Sequence, residues 1–204
     1  MRKQNRAYKR KEPYRDSSFF VIVCEGAETE INYFENLQKI EQQRVKVISV
    51  TPDENKSAPK WVLDKAAKIA EELLLKIEND DQLWIVTDTD RWKIEHLRTI
   101  QESCERLKNW NFVVSNPCFE VWLHAHVQDL KNLSEKSSCK NLKSELDVFQ
   151  KQGLLTKPLQ NVRIAIERAK RLDNSEHFIP DSLRTKVYLL VEELIKRIGE
   201  QHFE

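Results

Sequence analysis

Two short apolar runs that break off at acidic residues constrain this chain more than any other feature. The first reads FFVIVCEG (19–26) and the second LWIVTDTD (83–90). Both are rich in β-branched and aromatic residues, as buried strands are. In an open parallel sheet, side chains just past the carboxyl ends of neighbouring strands converge on one crevice. Neighbouring positions for these two strands would bring Glu25, Asp88 and Asp90 together. Three close carboxylates repel one another unless they bind protons or cations. Hard oxygen ligands around an open site suit Mg²⁺ or Mn²⁺. Metal-assisted phosphate chemistry is therefore the leading expectation.

The pattern along the chain supports a parallel sheet. Apolar strands are expected at 19–24, 45–50, 83–87 and 111–115. Between them, apolar residues recur at helical spacing over 28–40, 60–79 and 94–108. Strands alternating with helices of this length imply βαβ crossovers. After Pro117 the strand signals stop, and helices are expected over 117–127, 134–151, 158–172 and 182–198, with Gly199 as a C-cap. The expected fold class is α/β, a small mostly parallel sheet flanked by helices with a helical C-terminal half. The expected division is a basic flexible tail over 1–18, an α/β core over 19–116, and a helical extension over 117–204 packed on that core.

Composition narrows the function. The chain has 204 residues, 40% of them hydrophobic and 33% charged, with a net charge of +1. That balance describes a globular protein whose global field does not draw it to nucleic acid. The longest apolar runs fall far short of the roughly 20 residues that span a bilayer, and no apolar stretch follows the basic N-terminus to make a signal peptide. Cys24, Cys104, Cys118 and Cys139 lack metal-ligand spacing and fit a reducing cytoplasm. Over 1–18 there is a local excess of five positive charges. This tail reads equally as a solubilising segment and as a nucleic-acid or partner arm.

Each site residue has an ordinary reading beside the functional one. Gly26 lets the backbone turn sharply or approach a phosphate. Glu30 lies in the first turn of a helix, where acid suits the dipole, and this explains it as well as metal binding does. Asp88 and Asp90 form D-x-D, whose alternate side chains can face one metal pair, although Asp is also a common helix N-cap. Arg91 would clamp a phosphate or neutralise the aspartates. Asn116 is expected as an N-cap with Pro117 at the first helical position. Glu120 pairs with His124 in solvent or joins the site. His124 and His126 do not aim two imidazoles at one metal, so zinc is not expected. Arg163, Arg168, Lys170 and Arg171 form a basic face that is either solvated or in contact with a phosphate backbone.

At these residues the chain resembles the TOPRIM superfamily, in which a glutamate follows the first strand and D-x-D the third. It is similar more narrowly to the RloB-like group in CEGAETEINYF (24–34), VTDTDRW (86–92), SNPCFEVWL (115–123) and RTKVYLLVEELI near the C-terminus. The resemblance implies a metal-dependent nuclease of DNA or RNA, associated with phage defence or restriction and with an ATPase partner. It carries Glu25, Asp88 and Asp90 over as metal ligands. Glu30 meets the second acid of the E-G-x-T-E pattern only with one extra residue between. A topoisomerase would need a further domain bearing a tyrosine. The rival expectations are a non-catalytic nucleic-acid-binding or regulatory subunit of an ATPase-containing complex, and nucleotidyl transfer. A dehalogenase-type phosphatase would place its D-x-D after the first strand. Self-association stays open.

Overall fold

The computed structural model describes residues 18–25, 28–41, 43–49, 58–154, 161–173 and 176–202. The basic tail expected at 1–18 lies outside these residues except for Ser18, and Gly26 lies outside them too. The elements run β1 (Phe20–Cys24), α1 (Thr29–Gln38), β2 (Val45–Ser49), α2 (Ala58–Glu72), β3 (Gln82–Asp88), α3 (Ile94–Arg106), β4 (Trp110–Asn116), α4 (Glu120–Val127), α5 (Cys139–Lys151), α6 (Val162–Leu172), β5 (Arg184–Thr185) and α7 (Val187–Ile198). The five strands lie in the order β2-β1-β3-β4-β5. The first four are mutually parallel and β5 is antiparallel to β4.

Side-chain alternation splits the core between the two faces of this sheet. Phe20, Ile22 and Cys24 of β1, with Trp84 and Val86 of β3, pack against α1, α4, α6 and α7. Val21, Val23, Leu83 and Ile85 point the other way, onto α2 and α3. β1 is buried on both faces, which is why its run reads as continuously apolar. The helices after residue 117 thus share one core with α1 and the strands.

Strand order also locates the crevice. The chain leaves β1 for β2 on one side and returns to β3 on the other, so the connections reverse direction between β1 and β3. Ligands bind at such a switch point, beyond the carboxyl ends of the strands. The residues that end these two strands are Glu25 and Asp88.

Several expected boundaries are corrected. The helix expected over 60–79 ends at Glu72. Leu74 enters the left-handed region at φ 51°, and Asp80 follows at φ 56°. The buried Asp81 carboxylate then closes the turn onto Lys76 N and ties it to the start of β1 at Phe19 N, accepting from each at 2.7 Å. The helix expected over 182–198 begins only at Val187. Residues 184–185 instead form β5, where Thr185 Oγ1 lies 2.9 Å from Ser115 Oγ. The helix expected over 134–151 starts at Cys139, behind a capping box of Ser138 and Asn141. Asn116 is not an N-cap: it ends β4, and α4 starts at Glu120. Gly199 does cap α7, at φ 105°.

A candidate active site at the ends of strands β1 and β3

Glu25 directly follows β1, and its backbone N–H donates to Val86 O of β3 at 3.3 Å. β1 and β3 pair in parallel with Cys24 opposite Val86, so Glu25 and Asp88 emerge on adjacent strands at the same end of the sheet. The loop after β3 is strapped to the end of β4. Thr89 N donates to Ser115 O at 3.0 Å and Asp90 N to Pro117 O at 3.1 Å. Asn116 Oδ1 accepts from Thr89 Oγ1 at 3.0 Å, while its amide donates to Pro180 O at 2.9 Å. Asn116 thus holds the D-x-D loop in place, a role its expected capping position did not suggest.

These constraints build a cavity of about 450 Å³. Glu25, Glu30, Asp88, Asp90 and Glu120 all line it, with Arg91 at its edge. Glu30 is 7% exposed and Glu120 9%. Glu120 and His124 are therefore not a solvated pair. His124 is fully buried, with Nε2 3.0 Å from Leu142 O and Nδ1 2.9 Å from the Gln128 amide. His126 is buried elsewhere, 3.3 Å from the Tyr33 hydroxyl.

The carboxylates are held under electrostatic tension. Burial raises the Asp88 pKa well above the ordinary carboxylate range, and Glu30, Asp90 and Glu120 add to the rise, opposed by a hydrogen bond from the Phe119 backbone. Burial likewise raises Glu25, against the Trp92 hydrogen bond and Arg91, with Glu30 and Asp90 pushing it further up. Glu30 is raised by burial first and then by Glu120 and Asp90. Glu25 Oε1 and Asp88 Oδ1 are buried without any hydrogen-bond partner among the described residues. Buried carboxylate oxygens without partners are costly. A cation or a proton relieves that cost.

By donor chemistry these residues fit a hard divalent ion: orphaned, buried carboxylate oxygens of Glu25 and Asp88 open onto one cavity with Asp90 at its rim. Among the described residues, no group of three or more His, Cys, Asp or Glu side chains stands ready-made to hold a metal ion. Mutual repulsion of uncompensated carboxylates works against such closeness.

Three groups at this site escaped the sequence reading. Trp92 donates its indole N–H to Glu25 Oε2. Lys140 and Lys143, three residues apart on α5, line the cavity. Neither ammonium has an ion-pair or hydrogen-bond partner among the described residues. An i, i+3 pair of cations was the available signal, but α5 reveals its position over the sheet end only in three dimensions. Cys118 and Cys139 complete the wall as protonated thiols: burial pushes Cys118 far up and Cys139 up to about 11.

The basic residues of α6 go elsewhere. Arg163 bonds Glu200, Arg168 donates to Ala125 O at 2.8 Å, Lys170 pairs with Glu192 at 2.9 Å, and Arg171 pairs with Asp129. None of the four lines the acidic cavity.

Fold and site together define an α/β protein with a carboxylate-lined cavity at the switch point of a mostly parallel sheet. The family model for RloB-like proteins matches residues 20–194, and the chain belongs to that family. Comparisons with curated proteins and with solved structures gave no match. No helix among the described residues is long and apolar enough to cross a membrane.

Proposed function

We propose that this protein is a divalent-metal-dependent nuclease, hydrolysing phosphodiester bonds of DNA or RNA, with its core a TOPRIM-like variant of the α/β fold. One observation carries the reading. Glu25, just past β1, and Asp88, the last residue of β3, line one cavity, each with a buried carboxylate oxygen that lacks a partner among the described residues. Such oxygens are poised for Mg²⁺ or Mn²⁺, with Asp90 as the third ligand. A bound ion of this kind supplies Lewis-acid polarisation of the scissile phosphate and activation of a water.

The protein's own groups divide the remaining work. Arg91 at the cavity edge, with Lys140 and Lys143 across it, draws in the phosphate backbone. Glu30 and Glu120, which face the same cavity, are placed to orient the attacking water. Both are nearly buried, and burial, with Glu120 and Asp90 nearby, makes Glu30 hold a proton more readily than an ordinary carboxyl. The buried face of α4 and the strapped D-x-D loop hold these acids still. Phage defence beside an ATPase partner is the proposed setting.

The test is cleavage of single- and double-stranded DNA and RNA with Mg²⁺, Mn²⁺ or chelator. Metal-dependent cleavage by the wild type that is lost in Glu25→Gln supports the reading. Nucleic-acid binding without cleavage under every condition, with and without an ATPase partner, would assign the cavity to a binding subunit instead.

A further inference from the structure

A second cavity borders the acidic one. Between α1, α4 and α5 lies a space of about 290 Å³, and Thr29, Glu120 and Lys143 line both cavities. The lining differs between the two. Carboxylates and cations dominate the first cavity, with Glu28 beside the acids named above. The second presents Asn32 of α1 and Gln150 of α5 above Leu123 and Leu146. The side-chain amides of Asn32 and Gln150 have no hydrogen-bond partner among the described residues. An amide offers a donor and an acceptor side by side, and leucines offer a dry surface. A phosphate makes poor use of either, whereas a flat heteroaromatic ring uses both: its edge pairs with amides and its face covers leucines. Asp147, also at the wall, adds an acceptor for an exocyclic amino group. The volume is near the lower end of small-ligand pockets, about 300 Å³.

We propose that this side pocket seats one nucleobase of the bound strand, while Lys143 holds the phosphate that connects it to the carboxylate cavity. The proposal rests on the reading that nucleic acid occupies the carboxylate cavity, and it adds a base-recognition subsite to it. Single-stranded nucleic acid suits this geometry, because a base must leave its stack to enter a side pocket. Lys143 is placed for the linking phosphate because, among the cations of the described residues, it alone borders both spaces.

The experiment measures binding, not cleavage. Ribonucleoside and deoxyribonucleoside 5′-monophosphates of each base are titrated calorimetrically into the full-length protein with Mg²⁺, against ribose 5-phosphate. Two hydrogen bonds to a base edge should favour at least one nucleotide over the sugar phosphate by about tenfold. Asn32→Trp and Gln150→Trp each fill the pocket from an exposed wall position, so the core is untouched, and a melting curve checks each variant. Both should abolish the nucleotide's advantage while leaving ribose 5-phosphate binding within about twofold. Equal affinity for nucleotides and ribose 5-phosphate overturns the proposal, as does an advantage that survives both tryptophans. A protein that cleaves nucleic acid but shows no base-dependent binding loses only the subsite. A protein that binds bases through the pocket but never cleaves loses only the nuclease reading.

Discussion

The indole N–H of Trp92 donates to one carboxylate oxygen of Glu25, while the other oxygen is buried with no partner among the described residues. The bond opposes the burial and the neighbouring acids that push the Glu25 pKa up. Trp92→Phe keeps an aromatic ring and deletes only the donor. The expected cost is about 1–3 kcal/mol at neutral pH, because a buried charged acceptor is left bare. At pH 4 the cost should shrink, since a protonated carboxyl needs the donor less. Urea unfolding at the two pH values measures both; an equal cost at each would mean that the indole serves packing alone.

Asp88→Asn should abolish metal-dependent cleavage and yet leave the metal-free protein as stable as the wild type, or more so. Asp88 does not cap a helix: it ends β3, and the N-cap of α3 is Lys93. The substitution therefore removes a repelled, buried charge rather than a cap. Each 1 kcal/mol of relief raises the melting midpoint by about 2–4 °C in a domain of this size. Mn²⁺ should then stabilise the wild type far more than the variant, because ligation adds stability by mass action. Equal metal shifts in the two proteins would remove Asp88 from the ligand set.

The metal-free protein should lose stability as pH rises. Folding raises the pKa values of Glu25, Glu30 and Asp88, burial being the first cause in each. Below the ordinary carboxylate range, about 4, all three are neutral in both folded and unfolded states and exact no penalty. Above it the unfolded chain ionises first, so stability falls until the raised folded values are passed. Metal affinity should run the opposite way, since ligation needs ionised carboxylates. Melting midpoints from pH 4 to 8, in chelator and in Mg²⁺, should diverge with rising pH; parallel curves would refute a shared acidic metal site.

Lys140→Ala with Lys143→Ala should weaken nucleic-acid binding with little effect on folding. Two lost phosphate contacts should make the slope of log affinity against log salt shallower by about 1.4–1.8. Arg168→Ala should do the reverse, costing stability through the lost bond to Ala125 O while leaving the salt slope unchanged. Filter binding across a salt series, beside urea melts, separates the two kinds of cation. An unchanged slope in the double lysine variant would place the strand elsewhere.

Strands β1 and β3 were legible because both faces of each are buried, leaving an uninterrupted apolar run that ends where the sheet ends. Acid beyond such a run is legible for the same reason. The two-residue β5 was not. Arg184 and Thr185 carry no strand pattern, and only pairing with Asn116 and Ser115 of β4 makes them a strand. The end of α2 was hidden as well. The apolar period runs on through Leu73, Leu74 and Ile77, but Leu74 turns left-handed and Leu75 N bonds back to Ala70 O, which closes the helix at Glu72.

By itself the sequence determined the alternation of strands and helices, the parallel sheet and the acids at two strand ends, since each follows from local periodicity and burial. Tertiary structure alone decided which charges share the cavity. In the sequence, the cations of α6 and of α5 are equally basic. In the fold, all four α6 cations find protein partners, while Lys140 and Lys143, without a partner among the described residues, are carried to the cavity of the acids. Charge acts through distance and solvation, and the order of residues along a chain specifies neither until the helices have packed.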